Sequence, residues 1–211
     1  MLSATVVLVL CSWKLLPTGT LQLGRGLPSV IALRGIAASA FFGCEAFLPL
    51  LLQRERGLTP LLAGVALSLG ALGWFSGSWF QGHQGQGWSR RQLLHAGALL
   101  MCGGIIATAL ALQPGVPLWL ALGGWTPTGL GMGLIYPSLS VLTLSLSPPA
   151  QQGANSSALQ LSEALAVATT LAVSGSVFAM MLSVDVALGY LLIFGVMLVL
   201  AALSVVVARR V

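Results

Sequence analysis

The stretch QGHQGQGWSRRQLLH, from Gln81 to His95, separates two long apolar runs of the chain. It holds the adjacent arginines Arg90 and Arg91, three glycines and both histidines of the chain, and it contains no acidic residue. The runs on either side carry no charged side chain for about twenty residues. A short polar insert between uncharged runs of that length is typical of a loop that joins two membrane-spanning segments.

The composition of the whole chain agrees with a membrane protein. Of the 211 residues, 57% are hydrophobic and 6% are charged, whereas an ordinary soluble domain has about 25% charged residues. The net charge of +5 is spread as single or paired basic residues between apolar runs. This distribution is typical of membrane loops and not of a nucleic-acid-binding face. The lipid bilayer is therefore an expected partner, and nucleic acid is not.

Seven apolar segments follow one another along the chain. They comprise residues 1–16, 28–52, 59–80, 89–112, 117–146, 152–182 and 186–208. Their lengths and the lack of period-two alternation exclude barrel strands, so helices are expected. The first segment rises only about 24 Å, against a hydrocarbon core of roughly 30 Å. The predicted fold class is all-α: a polytopic membrane helix bundle with six full transmembrane helices and a short N-terminal apolar helix.

Two of the predicted helices have recognisable starts. Thr59 followed by Pro60 is typical of an N-cap and the first helical position. Ser89 and Gln92 are three residues apart, which is the spacing of a capping box.

Glycine and proline are dense inside the segments. The third segment contains Gly73 and Gly77 four residues apart, and the fifth contains Gly129 and Gly133 with the same spacing. Small residues at this spacing let helix backbones approach each other closely in lipid. Pro137 leaves the carbonyl of Gly133 without its helical hydrogen bond. Such a carbonyl needs a partner on a neighbouring helix or water in a cavity.

The loops carry an uneven distribution of basic residues. If the C-terminus is cytoplasmic, six basic residues lie inside and two outside, in agreement with the positive-inside rule. The inside set comprises Lys14, Arg25, Arg90, Arg91, Arg209 and Arg210, and the outside set comprises Arg54 and Arg56. The sequence therefore predicts a multi-pass protein of the cell (inner or plasma) membrane with a cytoplasmic C-terminus. The N-terminal stretch lacks the basic start and cleavage site of a signal peptide.

The cysteines and histidines give no sign of enzyme chemistry. Cys11, Cys44 and Cys102 each lie within an apolar run and form no CxxC pair, so neither a disulfide framework nor a metal site is expected. His83 and His95 have no nucleophile or HExxH partner nearby. The chain is therefore not expected to be an enzyme, and no cofactor is expected.

Two charged residues lie within the second apolar segment. Arg34 and Glu45 are eleven residues apart, which places them on one helix face about 16 Å apart, too far for a direct pair. The Arg34 side chain either extends to the cytoplasmic surface or lines a path. Glu45 lies deeper, and Pro49 frees its carbonyl oxygen. Glu45 is predicted to be either a proton-linked site or a neutral acid that serves packing.

The sixth segment carries a stripe of mostly polar residues at helical spacing. Its members are Ser156, Gln160, Glu163, Val167, Thr170 and Ser174. The stripe extends about 27 Å, which favours an aqueous path across the membrane, and hydrogen bonds between helices are the alternative. Glu163 lies near mid-membrane, where an ionisable group costs about 2.5–3.5 kcal/mol. It is the first candidate for a proton-linked site.

The loop between the third and fourth segments resembles the signature loop of the major facilitator superfamily, Gly-x-x-x-Asp-Arg-x-Gly-Arg-Arg. Arg90 and Arg91 match the paired basic positions, and Gly82 matches the leading glycine. Ser89 replaces the later glycine, and Gln86 with the residue after it stands in place of Asp-Arg. The resemblance implies that Gly82, Ser89, Arg90 and Arg91 form a loop that tunes conformational switching.

Two longer stretches extend this resemblance over nearly the whole chain. GLPSVIALRGIAASAFFGCEAFLPLLLQRERGLTPLLAGVALSLGALGW is similar to the seventh and eighth helices of bacterial drug-efflux-type members. GWTPTGLGMGLIYPSLSVLTLSLSPPAQQGANSSALQLSEALA is similar to their tenth and eleventh. The resemblance implies that residues 1–27 are a remnant helix and cytoplasmic linker. Residues 28–211 would then be the C-terminal six-helix half of a transporter.

The function that this resemblance implies is secondary transport of a small organic compound, by proton-coupled efflux (proton antiport). Glu163 and Glu45 are the expected proton-linked residues. The expected substrate-path residues are Ser156, Gln160, Thr170, Ser174, Arg34, Trp125 and Tyr136. The expected partners are the small-molecule substrate and a second transporter half, or an identical copy in a parallel homodimer. The alternative is a truncated transporter-like membrane module that does not transport and acts as an interaction partner.

The predicted orientation can be tested by cysteine labelling on intact cells, in a background without native cysteines. His83→Cys should resist an impermeant thiol reagent and Arg54→Cys should react, because the basic bias places the loop that contains His83 in the cytoplasm. Both positions should react once the cells are permeabilised. Labelling at position 83 but not at 54 on intact cells would overturn this topology.

Overall fold

The computed structural model describes residues 17–83, 87–113 and 115–211. Within these ranges the regular elements are helices: α1 (Leu27–Arg54), α2 (Pro60–His83), α3 (Arg90–Ala109), α4 (Leu118–Gly123), α5 (Thr126–Ser145), α6 (Gln152–Met181) and α7 (Val186–Val207). A 3₁₀ turn, Leu110–Leu112, follows α3, and another, Pro149–Gln151, precedes α6.

Six spans in the described part of the chain are long and apolar enough to cross a membrane. They agree with the second to seventh apolar segments of the sequence, so the predicted all-α membrane helix bundle is confirmed. The first apolar segment, residues 1–16, lies outside the described residues and so stays a prediction, as do Cys11 and Lys14 within it.

The predicted helix starts are confirmed. Ser89 Oγ accepts a hydrogen bond from the Gln92 backbone N–H at 3.2 Å, and Gln92 Oε1 accepts one from the Ser89 N–H at 2.8 Å. These reciprocal bonds form the capping box that begins α3. Thr59 Oγ1 accepts a longer bond, 3.4 Å, from the Leu62 N–H at the start of α2.

The fifth apolar segment differs from the prediction because it is broken into two helices. α4 ends at Gly123 and α5 begins at Thr126, so Gly124 and Trp125 form a turn between them. Pro127 lies at the second position of α5, where its missing N–H costs no helical hydrogen bond. The two helices together still make one span, Leu118–Ser145.

Helix α5 packs against α2 on one side and α3 on the other through its glycines. A Cβ atom at Gly129 would collide with the carbonyl oxygen of Gly70 in α2, and a Cβ at Gly131 would collide with that of Gly97 in α3. Both crossings are therefore contacts of backbone against backbone. The close approach predicted from the spacing of the small residues is confirmed.

The carbonyl freed by Pro137 finds its partner on a neighbouring helix. Ser78 Oγ in α2 donates a hydrogen bond to the Gly133 carbonyl oxygen at 3.3 Å. The proline is thus accommodated within α5, which continues without interruption to Ser145.

Hydrogen bonds at the two ends of the bundle show which loops lie together. At one end, the Gly26 N–H donates to the Arg210 carbonyl oxygen at 3.1 Å, and Arg210 Nη1 donates to the Leu23 carbonyl oxygen at 3.1 Å. At the other end, Arg56 Nη1 donates to the Gln113 carbonyl oxygen at 2.8 Å. The linker before α1 and the C-terminus therefore share one end. Which end faces the cytoplasm stays a prediction.

Replacing Gly73 with alanine should weaken the α2–α5 packing. A Cβ at Gly73 would collide with the Thr126 carbonyl oxygen, so the helices must separate, and overpacking of this kind costs about 1–3 kcal/mol. Gly64 in the same helix is the matched control, since nothing lies within 4 Å of the position that a Cβ atom would take there. Thermal unfolding in mild detergent should show a lower midpoint for Gly73→Ala and an unchanged or higher one for Gly64→Ala. Equal midpoints for the two variants would contradict the close packing.

Candidate functional site

The crossing of α1 and α6 depends on small residues. Ser162 Oγ in α6 donates a hydrogen bond to the Ile31 carbonyl oxygen in α1 at 2.9 Å. A Cβ atom at Gly35 would lie 2.9 Å from Ser162 Oγ and 3.0 Å from the Cβ of Ala166. The two helices are therefore nearly in backbone contact at this point, and the residues next to Gly35 and Ser162 in sequence are brought together.

Those neighbouring residues form a buried ion pair. Arg34 Nε lies 2.7 Å from Glu163 Oε2, and the side chains are 0% and 16% exposed. Among the residues that the structure describes, this is the only ion pair. The Arg34 side chain does not extend to the membrane surface, which was one of its two predicted roles, because the pair holds it within the bundle.

The remaining donors of Arg34 contact two more residues. Nη1 donates to the Tyr136 carbonyl oxygen at 3.1 Å, and Nη2 reaches Gln160 Oε1 at the long distance of 3.5 Å. The guanidinium also lies over the Tyr136 ring, with Cζ 3.0 Å from the ring centroid. Tyr136 Oη donates to the Glu163 carboxylate at 3.1–3.2 Å. One arginine, one carboxylate, one phenol and one amide thus form a connected network across α1, α5 and α6.

Beside this network lies a recess with a volume of about 500 Å³. Gln160 and Glu163 supply its polar groups. The rest of the lining is apolar and comprises Phe42, Ala164, Val167, Ala168 and Leu171. We refer to this space as the Glu163 recess. It combines one ionisable group with an apolar wall, as small-molecule sites commonly do.

The six members of the predicted polar stripe do not line one cavity in this conformation. Gln160, Glu163 and Val167 line the Glu163 recess, whereas Thr170 lines a second recess of about 450 Å³ bounded by α1, α6, α7 and the linker. Ser174 is buried and Ser156 is half-buried. The structure thus places Gln160, Glu163 and Val167 around one recess beside the ion pair, whereas Thr170 lines a different recess. A continuous path along the stripe stays a prediction.

Glu45, the second acid predicted to be proton-linked, is placed differently from Glu163. It is half-buried in α1, and it forms no hydrogen bond or ion pair with any described residue. The helix continues through Pro49 to Arg54. Its role in proton binding stays a prediction.

The two aromatic residues predicted for the substrate path have different surroundings. Tyr136 belongs to the ion-pair network, and its ring also contacts Trp74 with 5.2 Å between the ring centroids. Trp125 is fully buried: its ring lies 5.0 Å from that of Phe41 and fills the space left by Gly70. In this conformation Trp125 therefore packs the core between α1, α2 and α5 and offers no surface to a path.

The residues of the predicted conformational loop lie at the junction of α2 and α3. Gly82 is exposed near the end of α2, and Ser89 serves as the cap of α3. Arg91 is exposed and Arg90 half-buried, and neither pairs with an acid among the described residues. Gln86, which stands in place of a family residue, lies outside those residues. The switching role of the loop stays a prediction.

The contact between Arg34 and Glu163 was missed by reasoning from the sequence, which considered Arg34 only against Glu45 in the same helix. A usable signal was present: each of the two charged residues stands beside a small residue, Gly35 and Ser162. Small residues mark the positions where membrane helices cross. A charge next to each crossing position is therefore well placed to meet the other.

No protein-family model matches the chain, and no curated protein matches it. Its structure is similar to that of a mutant of the peptide transporter POT in complex with alafosfalin, with a TM-score of 0.68 and 22% sequence identity. The same mutant in complex with sulfate gives a TM-score of 0.68 and 21% identity. In both cases the similarity covers 87% of this chain and 37% of the transporter chain. The chain therefore has the same fold as part of these peptide transporters and spans about a third of their length, and these structures give no support to the drug-efflux type.

Removing only the negative charge of the pair should destabilise the protein more than removing both charges. Glu163→Gln leaves a fully buried arginine that cannot lose its charge, which costs about 3–5 kcal/mol. Arg34→Gln should cost less, because the remaining carboxyl can become neutral by binding a proton. The double variant should be more stable than Glu163→Gln.

Unfolding midpoints measured in mild detergent at neutral pH check this order. Asp185→Asn is the matched control, since asparagine keeps the side-chain oxygen that accepts the Leu188 N–H at the start of α7. If Glu163→Gln has the midpoint of the unsubstituted protein, the pair does not stabilise the bundle.

Proposed function

We propose that this chain forms half of a secondary membrane transporter that couples the movement of a small organic compound to protons. The observation that carries the proposal is the Arg34–Glu163 pair, which lies within the bundle beside an apolar recess. Ionisable residues inside membrane proteins are costly and commonly belong to ion or substrate pathways. The similarity of the fold to peptide transporters supports the same conclusion.

In this proposal Glu163 is the residue that binds and releases the transported proton. Its carboxylate is reached from the recess, and its charge is balanced by Arg34 and by the hydrogen bond from Tyr136. Binding a proton removes one half of a buried ion pair. The stability of the α1–α6 contact then differs between the two protonation states, and this difference is what a proton-driven conformational change requires.

A partner is needed to complete the substrate path. Helix α6 is the most exposed of the six described spans: 11% of its apolar stretch is buried, against 67% for α1. Gln160 is exposed on this helix, and the Glu163 recess opens beside it. Unpaired polar groups that face lipid are unfavourable. We propose that a second transporter half, or an identical copy related by a two-fold axis along the membrane normal, covers this face.

The finer aspects of the function rest on the sequence alone. The resemblance to drug-efflux-type members supports outward movement in exchange for protons. The basic bias of the loops supports insertion in the inner or plasma membrane with the C-terminus in the cytoplasm. Neither the direction nor the orientation bears on the assignment of Glu163.

Proteoliposomes test the proposal. The full chain, purified from its native membrane with any bound partner, should accumulate members of a labelled compound panel when a pH gradient is imposed. Glu163→Gln should lower proton-driven accumulation at least about tenfold, because the site can no longer change its charge. It should retain exchange of labelled for unlabelled compound, which needs no net proton movement and shows that the variant is folded.

Asp185→Asn, an acid-to-amide change outside the spans, should leave accumulation unchanged. Proton-driven accumulation that survives in Glu163→Gln would show that the assignment of Glu163 is wrong. If no compound is accumulated or exchanged by the chain with any partner that it retains, the alternative of a non-transporting membrane module is favoured.

A further inference from the structure

The Arg34–Glu163 network has a charge balance that restricts what the recess can bind. Arg34 is fully buried, and Glu163 is the only acid that contacts it among the described residues. The site is therefore neutral only while Glu163 is ionised. Once Glu163 takes up a proton, the guanidinium keeps its charge and has no counter-ion. A buried cation in that state requires an anion from elsewhere.

Within the described part of the chain, the surroundings of Glu163 offer no other charge that could restore the balance. Arg34 from α1 and Tyr136 from α5 are the titratable groups that face it. Helix α7 carries Tyr190 as its only titratable side chain, and that ring packs on Phe178, about 22 Å along α6 from Glu163. Glu45 lies about 16 Å from Arg34 along α1. The missing charge must come from a ligand.

We infer that the Glu163 recess binds a small organic anion, with one acidic group on an apolar body, which replaces the Glu163 carboxylate on Arg34 when Glu163 takes up a proton. This inference rests on the proposed function and names its substrate class. The loaded site contains a neutral carboxyl, a guanidinium and an anion, so its net charge is the same as that of the empty site.

The geometry gives the anion a way to reach Arg34. Gln160 and Glu163 line the recess, and both side chains lie between it and the guanidinium. The contact of Gln160 with Nη2, at 3.5 Å, is the weakest bond of the network. Displacement of Gln160 exposes Nη2 to the recess. The apolar wall formed by Phe42, Val167 and Leu171 then suits an aliphatic or aromatic body attached to the acidic group.

Binding of the proton to Glu163 and binding of the anion to Arg34 are coupled, because together they keep the site neutral. The proton and the anion stabilise each other in the site, because each removes the charge imbalance that the other would create. They therefore load together and move in the same direction. This differs from the exchange against protons that the sequence resemblance implies, in which the proton and the compound compete for the site.

Binding of 4-phenylbutyrate to the purified full chain in mild detergent tests the inference. This probe has one carboxylate on an apolar body and is ionised between about pH 5.5 and about pH 7.5. Its affinity should rise by up to about tenfold for each unit of decreasing pH, and each bound anion should take up about one proton from a weakly buffered solution. The amide and the amine with the same body should bind at least about tenfold more weakly at the lower pH.

Variants separate the parts of the site. Glu163→Gln fixes the neutral form, so its affinity for 4-phenylbutyrate should be independent of pH, and the anion should raise its unfolding midpoint. Arg34→Gln should bind the anion at least about tenfold more weakly. Asp185→Asn should bind like the unsubstituted protein, because Asp185 caps α7 outside the spans.

Several outcomes would overturn the inference: absence of saturable 4-phenylbutyrate binding at the lower pH, release of a proton on binding, or equal binding of the amide or the amine. None of these outcomes affects proton-driven accumulation of another compound class in proteoliposomes. The substrate class and the proposed function can therefore fail separately.

Discussion

Close contact between helix backbones at glycine positions is the constraint on which the rest of the structure depends. Gly129 and Gly131 on two sides of α5 set its distances to α2 and α3, and Gly35 sets the distance between α1 and α6. In lipid there is no hydrophobic driving force between helices, so such contacts must supply packing and hydrogen bonds directly. The α1–α6 contact also forms the ion pair of the candidate site, because it brings Arg34 Nε within 2.7 Å of Glu163 Oε2.

Burial of this ion pair connects the fold to the proposed function. A guanidinium that is inaccessible and always charged requires a negative charge beside it at every stage of a transport cycle. In the proposed function, the effect of a protonation change at Glu163 therefore extends beyond that residue. It alters either the contact between two spans or the occupancy of the recess, and both are properties that a transporter must couple.

The sequence predicted the architecture better than it predicted the site. Long uncharged runs, the capping box at Ser89 and the glycine spacing in α2 and α5 are local signals, and the structure has all of them as expected. The break before Thr126 and the contact between Arg34 and Glu163 depend on how helices are placed against each other. The residues of that ion pair are 129 positions apart. Helical periodicity within one segment carries no information about such a contact, although the small residue beside each charge marks where a crossing can form.

At the end of the bundle opposite the linker, the Arg56 side chain joins the end of α1 to the connection between α3 and α4. Its guanidinium donates hydrogen bonds to the carbonyl oxygens of Ala111, Gln113 and Val116, in the irregular connection between α3 and α4. Arg56 lies two residues beyond the end of α1, so these three hydrogen bonds tie the connection to that end of the helix. A tilt of α1 that kept these hydrogen bonds would also displace the connection between α3 and α4, and with it the start of the fourth span.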